Sequence, residues 1–271
     1  MELKKYKIGI GILTCDRQEY YQKCLLSVNN IVLTNDNTNY IYETACVNDG
    51  QTYVCGKSDA DYVSNHSVNL GVSYSKNELV SYLLSKGCGY IFIVEDDIEL
   101  IDKQVFIRYI QTYKRSGIHH LMCGSFLPSR GKSIETINYK NSNVSISVYR
   151  NCAGSFTFYT RECLLNTGMF DEHYWNALEH VDLTYRLSLL GYTTPFGYFA
   201  DIANSDRYIR SVGGEFNDSI INKTDNKKVE AAFTYFKQKF GVGFPAVYSA
   251  TKDDLLKYVK LQSSKTLNNY I

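Results

Sequence analysis

The segment from Tyr90 to Leu100 constrains the fold of this chain more than any other. It reads YIFIVEDDIEL, in which five apolar residues, Tyr90 to Val94, are followed directly by three carboxylates. Because polar residues do not alternate with apolar ones in the first five positions, the pattern predicts a strand that is buried on both faces. Strands of this kind belong to parallel sheets with helices on both sides. The segment therefore predicts an α/β protein.

Strand-like and helix-like patterns alternate through the first half of the chain, with short connections. Such alternation predicts an open, mainly parallel sheet covered by helices. After Pro128 the pattern changes, and a loosely alternating stretch around Asn141 predicts a hairpin and hence a mixed sheet. The predicted strands are 7–13, 40–47, 62–63, 90–94, 119–123, 154–160 and 192–199, with the hairpin over 133–150. The predicted helices are 21–28, 71–86, 102–115, 177–190, 227–240 and 253–261.

The composition is that of an ordinary globular protein, with 44% hydrophobic residues, 21% charged residues and a net charge of +1. That balance identifies no class of partner. The charge is uneven, because the segment from Lys227 to Lys265 contains eight lysines and three acidic residues. This segment is either the solvated face of terminal helices or a surface for an anionic acceptor, nucleic acid or lipid headgroups. In the second case Lys237, Lys239 and Lys257 would contact the anion.

The eight cysteines form no CxxC pair, and several lie in apolar runs. We expect reduced thiols of the core rather than a disulfide framework or a zinc site. No apolar run approaches the roughly 20 residues of a membrane-spanning helix. The first residues, MELKKYKIGIGILTCDR, lack the long apolar stretch of a signal peptide. These features favour a cytoplasmic protein without a membrane span.

The acidic triplet Glu95, Asp96 and Asp97 repels itself unless a cation or hydrogen-bond donors compensate its charge. On a continuing strand, Glu95 and Asp97 would point to one side of the sheet and Asp96 to the other. Carboxylate oxygens suit Mg²⁺ or Mn²⁺, which bind through one or two protein carboxylates and the phosphates of a substrate. The alternative is a cap for the helix that begins near Asp102, with ordinary surface acids.

Other polar groups are expected at the same edge of the sheet, because ligands of open α/β sheets collect beyond the carboxyl ends of the strands. Asp49, in VNDG, ends the second strand. Acidic residues also occur in the first turn of the helix near residue 180, where they suit the helix dipole. The groups in question are Thr14, Asp16 and Arg17 after the first strand, and Glu179, His180 and Asp182 at the start of that helix.

The ordered segments ILTCDR, VNDG, NLGVSYSKNELV, YIFIVEDDIEL, GMFDEHYW and EHVDLTYRLSLLGY resemble the GT-A glycosyltransferases, most of all those of family 2. The resemblance covers about Lys7 to Phe199, and it rests on the order of the segments rather than on any one of them. It implies the Rossmann-like GT-A fold: an open mixed sheet with a mostly parallel nucleotide-binding half, followed by C-terminal helices. It also implies a nucleotide-diphosphate sugar as donor, with a UDP-sugar expected.

The resemblance assigns roles to particular residues. Thr14, Arg17 and Asp49 match the positions that hold the base and ribose of the nucleotide. The triplet 95–97 matches the DxD element, with Asp97 on a divalent metal ion, Mn²⁺ or Mg²⁺, and Glu95 or Asp96 near the ribose. Bound metal and diphosphate would then compensate the charge of the triplet.

Two departures from the family pattern leave alternatives open. An acidic pair that normally supplies the general base is replaced by Glu179-His180, so that Asp182, Glu179 or His180 could act as base, or the chemistry could be of the retaining kind. A histidine that often binds the metal after a late strand is absent, and Asp201 is the expected substitute. The single tryptophan, Trp175, either stacks on a sugar or base or belongs to the core.

Residues 1–225 are expected to form one GT-A catalytic domain, with a nucleotide-sugar-binding half at 1–125 and an acceptor-binding half at 126–225. Residues 226–271 would form a helical extension packed on it. The acceptor would be a glycan, a lipid, a protein or a hydroxymethylated DNA base.

Two other functions compete with glycosyl transfer. A nucleotidyltransferase that makes nucleotide sugars would have a glycine-rich loop after the first strand, where this chain reads LTCDRQEY. A non-catalytic sugar-binding relative would not need Asp49 and Asp97.

Overall fold

The structure is a computed structural model that describes residues 6–34, 39–124, 132–212, 226–243 and 246–268. The strands are β1 (Tyr6–Thr14), β2 (Tyr40–Asn48), β3 (Tyr62–Asn65), β4 (Tyr90–Glu95), β5 (Ile98–Leu100), β6 (His120–Met122), β7 (Glu135–Asn138), β8 (Ser145–Tyr149), β9 (Phe156–Thr160), β10 (Phe199–Ile202) and β11 (Ile209–Ser211). The α-helices are α1 (Gln18–Leu33), α2 (Val72–Ser85), α3 (Val105–Ser116), α4 (Arg161–Thr167), α5 (Glu179–Leu189), α6 (Asn226–Phe240) and α7 (Lys252–Asn268).

The main sheet has six strands in the order β3-β2-β1-β4-β9-β6. Strands β1 to β4 are parallel to one another, whereas β9 is antiparallel to both β4 and β6. Helix α2 packs on one face of the sheet and helices α1 and α3 on the other. The predicted open mixed sheet with a parallel nucleotide-binding half is therefore confirmed, and β4 is buried on both faces as its sequence requires.

Two glycines in β1 allow helix α2 to lie close to the sheet. A Cβ atom on Gly9 would lie 3.0 Å from Sγ of Cys88, and one on Gly11 would lie 3.1 Å from Cβ of Leu79. Larger residues would force the helix away from the strand. The alternation of glycine and isoleucine in KIGIGIL therefore places small residues under α2 and large ones in the core on the opposite face.

The second half adds a three-stranded antiparallel sheet in the order β10-β8-β7 and a two-stranded ribbon, β11-β5. The predicted hairpin is present as β7 and β8. The strand predicted at 192–199 is misplaced, since the chain turns through Pro195 and Gly197 and becomes a strand only at Phe199. The backbone N–H of Tyr198 donates to the carbonyl of Pro195, and Gly197 has φ +93°. Elements α4, β5 and β11 lie outside the sequence-based prediction.

The terminal helices contact the rest of the protein through aromatic and aliphatic residues. Helix α6 packs on α5, where Phe236 and Phe240 meet Tyr185. Helix α7 packs on α3, with Leu255 fully buried. All eight cysteines are free thiols, as expected. Among the described residues, no helix has the length and hydropathy needed to cross a membrane.

Candidate active site

The carboxyl ends of β1, β2 and β4 meet at one edge of the main sheet, as the sequence predicts. In the strand register, Leu13 pairs with Val47 on one side and with Glu95 on the other. The turn after β1 is tied to the turn after β2 by Asp16, whose Oδ1 accepts hydrogen bonds from the backbone N–H groups of Gln51 and Thr52 at 2.7 and 2.8 Å. These connections form one wall of a crevice at this edge.

Asp96 is fully buried and fixes the end of β4 to the end of β1. Its Oδ2 accepts a 2.7 Å hydrogen bond from Thr14 Oγ1 and a 3.3 Å hydrogen bond from Arg17 Nε, while Oδ1 pairs with the same guanidinium. Burial raises the pKa of the Asp96 carboxyl to about 7, against the opposing effect of Arg17. Three predicted nucleotide-binding residues, Thr14, Arg17 and Asp96, are thus brought together, but they bind one another.

Glu95 points away from Asp96 and forms an ion pair with Lys76, a residue that sequence reasoning missed. The Nζ of Lys76 lies 2.8 Å from Glu95 Oε1 and 3.0 Å from Glu179 Oε1. Although burial disfavours its charge, these two carboxylates hold the pKa of Lys76 above its ordinary value. The signal was present in the sequence, because Lys76 lies at helical spacing between the apolar residues Val72 and Leu79. A lysine on the buried face of a helix requires a carboxylate partner.

Asp97 carries an oxygen that is both buried and unpartnered within the described part of the chain. Its Oδ2 lies 3.6 Å from Nη1 of Arg17, whereas the buried Oδ1 has no hydrogen-bond partner among the described residues. Burial and the nearby Glu95 carboxylate raise the pKa of Asp97. The prediction for Glu95 and Asp97 assumed a continuing strand, but β4 ends at Glu95, and the following turn brings Asp97 within 3.6 Å of Arg17, the partner of Asp96.

The donor set at this edge fits a metal ion bound through one protein carboxylate. Within the described residues, no group of three or more His, Cys, Asp or Glu side chains could hold an ion alone. Both oxygens of Asp96 are occupied and Lys76 binds one oxygen of Glu95, so Asp97 Oδ1 is the buried oxygen of the triplet that the described residues leave unpartnered. Mg²⁺ commonly binds in this way, with one or two carboxylates completed by substrate phosphates and water.

The carboxylate of Asp201, the expected second metal ligand, accepts four hydrogen bonds. Its Oδ1 accepts hydrogen bonds from Tyr109 Oη at 2.6 Å and from the backbone N–H of Ile202 at 2.8 Å. Its Oδ2 accepts from the N–H of Gly124 at 2.9 Å and from the hydroxyl of Ser205. Burial raises the pKa of Asp201 to about 6. A metal ion would have to displace these donors, so the environment is that of a structural carboxyl group.

Asp49 lies at the end of β2, and its carboxylate organises the loop that precedes α2. It accepts hydrogen bonds from the backbone N–H groups of Leu70 and Gly71, at 2.7 and 2.8 Å, and lies 2.8 Å from His66 Nδ1. The other ring nitrogen of His66 lies 2.7 Å from Glu78 Oε2. Burial opposes the charge on His66, but the two carboxylates raise its pKa. A ribose would compete with these partners for Asp49.

Across the crevice, Glu179 and His180 form a carboxylate–imidazole pair at the start of α5. Nδ1 of His180 lies 3.0 Å from Oε1 of the buried Glu179, and within the described residues this is the hydrogen bond that the ring makes, in a side chain that is 23% exposed. Although burial favours protonation, Lys76 and His180 lower the pKa of Glu179. Gly154 is required beneath the ring, because a Cβ atom there would lie 2.9 Å from Nδ1 of His180.

Asp182 lies one turn further along α5 and is fully buried between two cations. Its Oδ2 accepts a 2.7 Å hydrogen bond from Nε of Arg186, and its Oδ1 lies 2.6 Å from Nζ of Lys239 on helix α6. Lys239 also reaches Asp171 at 2.7 Å. Both oxygens of Asp182 are therefore occupied, and Lys239 serves this internal network rather than an external anion.

Trp175 is half-buried beside the loop that Asp49 organises. Its carbonyl accepts a 2.7 Å hydrogen bond from the N–H of Val72, and its ring lies so close to Gly71 that a Cβ atom there would be 2.6 Å from Cδ1. The Nζ of Lys228 lies over the indole, 3.1 Å from the ring centroid. The indole therefore belongs to the contact between helix α6 and the loop before α2.

The fold is that of the GT-A glycosyltransferases, which the solved structures most similar to this chain share. One is a mannosyltransferase from Pyrobaculum calidifontis in complex with GDP-Man and Mn²⁺ (TM-score 0.57, 11% identity, 98% of this chain and 75% of that chain covered). A second is the Drosophila β-1,4-galactosyltransferase 7 with manganese, UDP-Gal and xylobiose (TM-score 0.51, 13% identity, 83% of this chain and 79% of that chain covered). A third is residues 1–349 of S. aureus TarS with UDP-GlcNAc (TM-score 0.51, 14% identity, 97% of this chain and 80% of that fragment covered), whereas 48% of the longer TarS structure is covered. The sequence matches no family model and no curated protein.

Proposed function

We propose that the chain is a glycosyltransferase of the family 2 type. It would transfer a hexosyl or pentosyl group from a nucleotide-diphosphate sugar, with a UDP-sugar as the expected donor, to an acceptor hydroxyl. The observation that carries the proposal is Asp97, whose unpartnered buried oxygen lies at the carboxyl edge of a GT-A sheet. Nucleotide sugars and Mn²⁺ in the structural neighbours support it.

On the donor side, Asp97 would hold Mn²⁺ or Mg²⁺ together with the diphosphate of the donor. Such an ion, when bound, stabilises the negative charge that develops on the leaving nucleotide. Arg17 adds a fixed positive charge 3.6 Å from Asp97. Since Thr14, Asp49 and Asp96 already bond to other protein groups, we propose that they act on the nucleotide by fixing the turns that surround it.

On the acceptor side, His180 is the proposed general base. Nε2 of its imidazole would take the proton of the acceptor hydroxyl, while the ionised Glu179 carboxylate at Nδ1 orients the ring and stabilises the imidazolium that forms. Asp182 is a weaker candidate, since Arg186 and Lys239 occupy both of its oxygens. A base on the acceptor side supports inversion at the anomeric carbon.

The decisive experiment on the donor side is donor hydrolysis, measured as nucleotide released from UDP-glucose, UDP-galactose, UDP-GlcNAc and GDP-mannose with and without MnCl₂. Asp97→Asn should abolish the metal-dependent rate. Glu99→Gln is the matched control, because Glu99 lies two residues away and pairs with Arg210 outside the crevice. If the unaltered chain hydrolyses none of these donors, the proposed enzyme function is wrong, and a non-catalytic sugar-binding protein is favoured instead.

The base assignment is tested by His180→Gln, which should lower the hydrolysis rate about 10²-fold or more. His173→Gln is the control: His173 also pairs with a carboxylate, Asp171, but its side chain is 72% exposed. Equal rates in the two variants would return the role to Asp182 or indicate chemistry without a base.

A further inference from the structure

Strands β7 and β8 of the three-stranded sheet β10-β8-β7 present one polar face, which β10 continues with Phe199 and Asp201. Along β7 and β8 the residues alternate, and the members that face the core are aliphatic, among them Ile137, Ile146 and Val148. In the antiparallel register, Thr136 pairs with Ser147. The residues of the polar face are Thr136 and Asn138 on β7 and Ser145, Ser147 and Tyr149 on β8.

This face forms the floor of a shallow, partly open cavity of about 290 Å³. Ser147 and Tyr149 are buried on the floor, although they belong to the polar face. One wall is the turn after β10, where Asn204 has a left-handed backbone (φ +57°) and Asp206 follows. The volume lies at the low end of the range of ligand pockets, roughly 300–1,000 Å³, and suits one small ligand unit.

The lining chemistry is that of a site for a neutral polyol. Hydroxyl and amide groups dominate, and Tyr149 contributes an aromatic ring. The Oγ of Ser145 donates a 2.7 Å hydrogen bond to Asn138 Oδ1, which fixes that amide and leaves its NH₂ group as a donor. Among the described residues that line the cavity there is no lysine or arginine, and Asp206 is the one charged member. A polyanion would meet this carboxylate, and the described lining offers it no cation.

The cavity borders the edge of the main sheet at which the candidate active site lies. Strands β4 and β6 are both antiparallel to β9 and therefore run in the same direction. Gly124, just beyond β6, thus lies at the same edge as Glu95. Tyr149 packs directly on Gly124, where a Cβ atom would lie 2.7 Å from its Cδ2, and the N–H of Gly124 donates to Asp201.

We propose that this cavity is an acceptor subsite that holds one neutral sugar unit of a glycan acceptor. The inference rests on the proposed glycosyltransferase function and narrows its acceptor. The hydroxyl groups of a sugar would pair with the serine, threonine and asparagine side chains, and its apolar face would lie on Tyr149. A hydroxymethylated DNA base is disfavoured, since the described lining offers no cation to the phosphates beside it.

The test uses the whole chain and saturation-transfer NMR with maltose, cellobiose, xylobiose and N-acetylchitobiose. Asn204→Gly removes a lining amide while tolerating the left-handed backbone. Asn141→Gly is the matched control, because Asn141 also has a positive φ (58°) but does not line the cavity. A second variant, Thr136→Tyr, fills the cavity from an exposed strand position.

At least one disaccharide should bind the unaltered chain and Asn141→Gly equally. Its affinity should fall about 5-fold in Asn204→Gly, as expected for one lost hydrogen bond, and binding should be lost in Thr136→Tyr. Binding of no disaccharide, equal binding by all four proteins, or displacement by a single-stranded oligonucleotide would overturn the subsite. Donor hydrolysis, measured in parallel, should be unchanged in the variants. Its absence in the unaltered chain would instead overturn the proposed function.

Discussion

Replacement of Lys239 is expected to destabilise the protein by an amount that follows from its two partners. Lys239 Nζ lies 2.6 Å from Asp182 and 2.7 Å from Asp171, and its side chain is 23% exposed while that of Asp182 is fully buried. Lys239→Met keeps most of the aliphatic stem but removes the charge. Asp182 then retains only Arg186, and Asp171 loses its cation.

The expected cost lies between two limits. Breaking a fully buried ion pair costs about 3–5 kcal/mol, whereas an exposed pair contributes about 0–1 kcal/mol. Since Lys239 is partly exposed and Arg186 remains, we expect about 2 kcal/mol in the free energy of unfolding. For a chain of this size that corresponds to a decrease of roughly 4–8 °C in the melting temperature.

The assay is thermal unfolding followed by circular dichroism, with urea unfolding as a second measure. Lys237→Met is the matched control, because it lies on the same helix and has no ion pair within the described part of the chain. Lys239→Arg should restore most of the loss. Equal melting temperatures for Lys239→Met and Lys237→Met would refute the assignment of Lys239 to an internal network and restore it as a candidate surface cation.

Three further predictions concern carboxylates and a histidine around the crevice. Asp201→Asn should cost about 1–3 kcal/mol of stability, because an amide NH₂ would face backbone donors. Mn²⁺ should nevertheless stimulate donor hydrolysis by this variant at the same Mn²⁺ concentration as in the unaltered chain. A shifted metal requirement would restore Asp201 as a ligand. The raised pKa of His66 means that its charged form stabilises the fold at low pH and that this contribution is lost as pH rises through that pKa. His66→Gln should therefore lose more stability at pH 6 than at pH 9 in urea unfolding, and an equal loss would contradict the assignment. Glu179→Gln should lower the hydrolysis rate and also leave Lys76 with one carboxylate, so both rate and melting temperature should fall; a change in neither would exclude the pair with His180.

Much of the fold was predictable because it depends on short-range patterns. The uninterrupted run in β4 and the alternation of strands and helices identified the α/β sheet and its parallel half. The strand predicted at 192–199 is misplaced because Pro195 and Gly197 impose a turn within this apolar and aromatic run. The ribbon β5-β11 could not be predicted, because each strand has three residues and the partners lie more than 100 residues apart in sequence.

The location of the candidate site could be predicted from the sequence, but the role of each residue in it was less predictable. Strand ends brought Thr14, Asp49 and Asp97 to one edge, as parallel topology requires. Roles depend on which charges find partners, and those partners are distant in sequence: Lys239 lies 57 residues from Asp182. Such pairs form only in the folded chain, so sequence alone left Asp182, Glu179 and His180 as alternative bases.

Helix α6 packs on helix α5 and therefore belongs to the folded unit that would carry the proposed activity. Lys239 neutralises a buried acid of α5, and Lys228 of the same helix covers Trp175 beside the loop before α2. A fragment that stopped at residue 225 would retain Thr14, Asp49 and Asp97, yet it would expose one side of α5 and leave Asp182 with Arg186 as its remaining cation. Residues 226–240 thus complete the packing around α5. In the proposed glycosyltransferase, exchange of this helix would alter the acceptor side without touching the donor side.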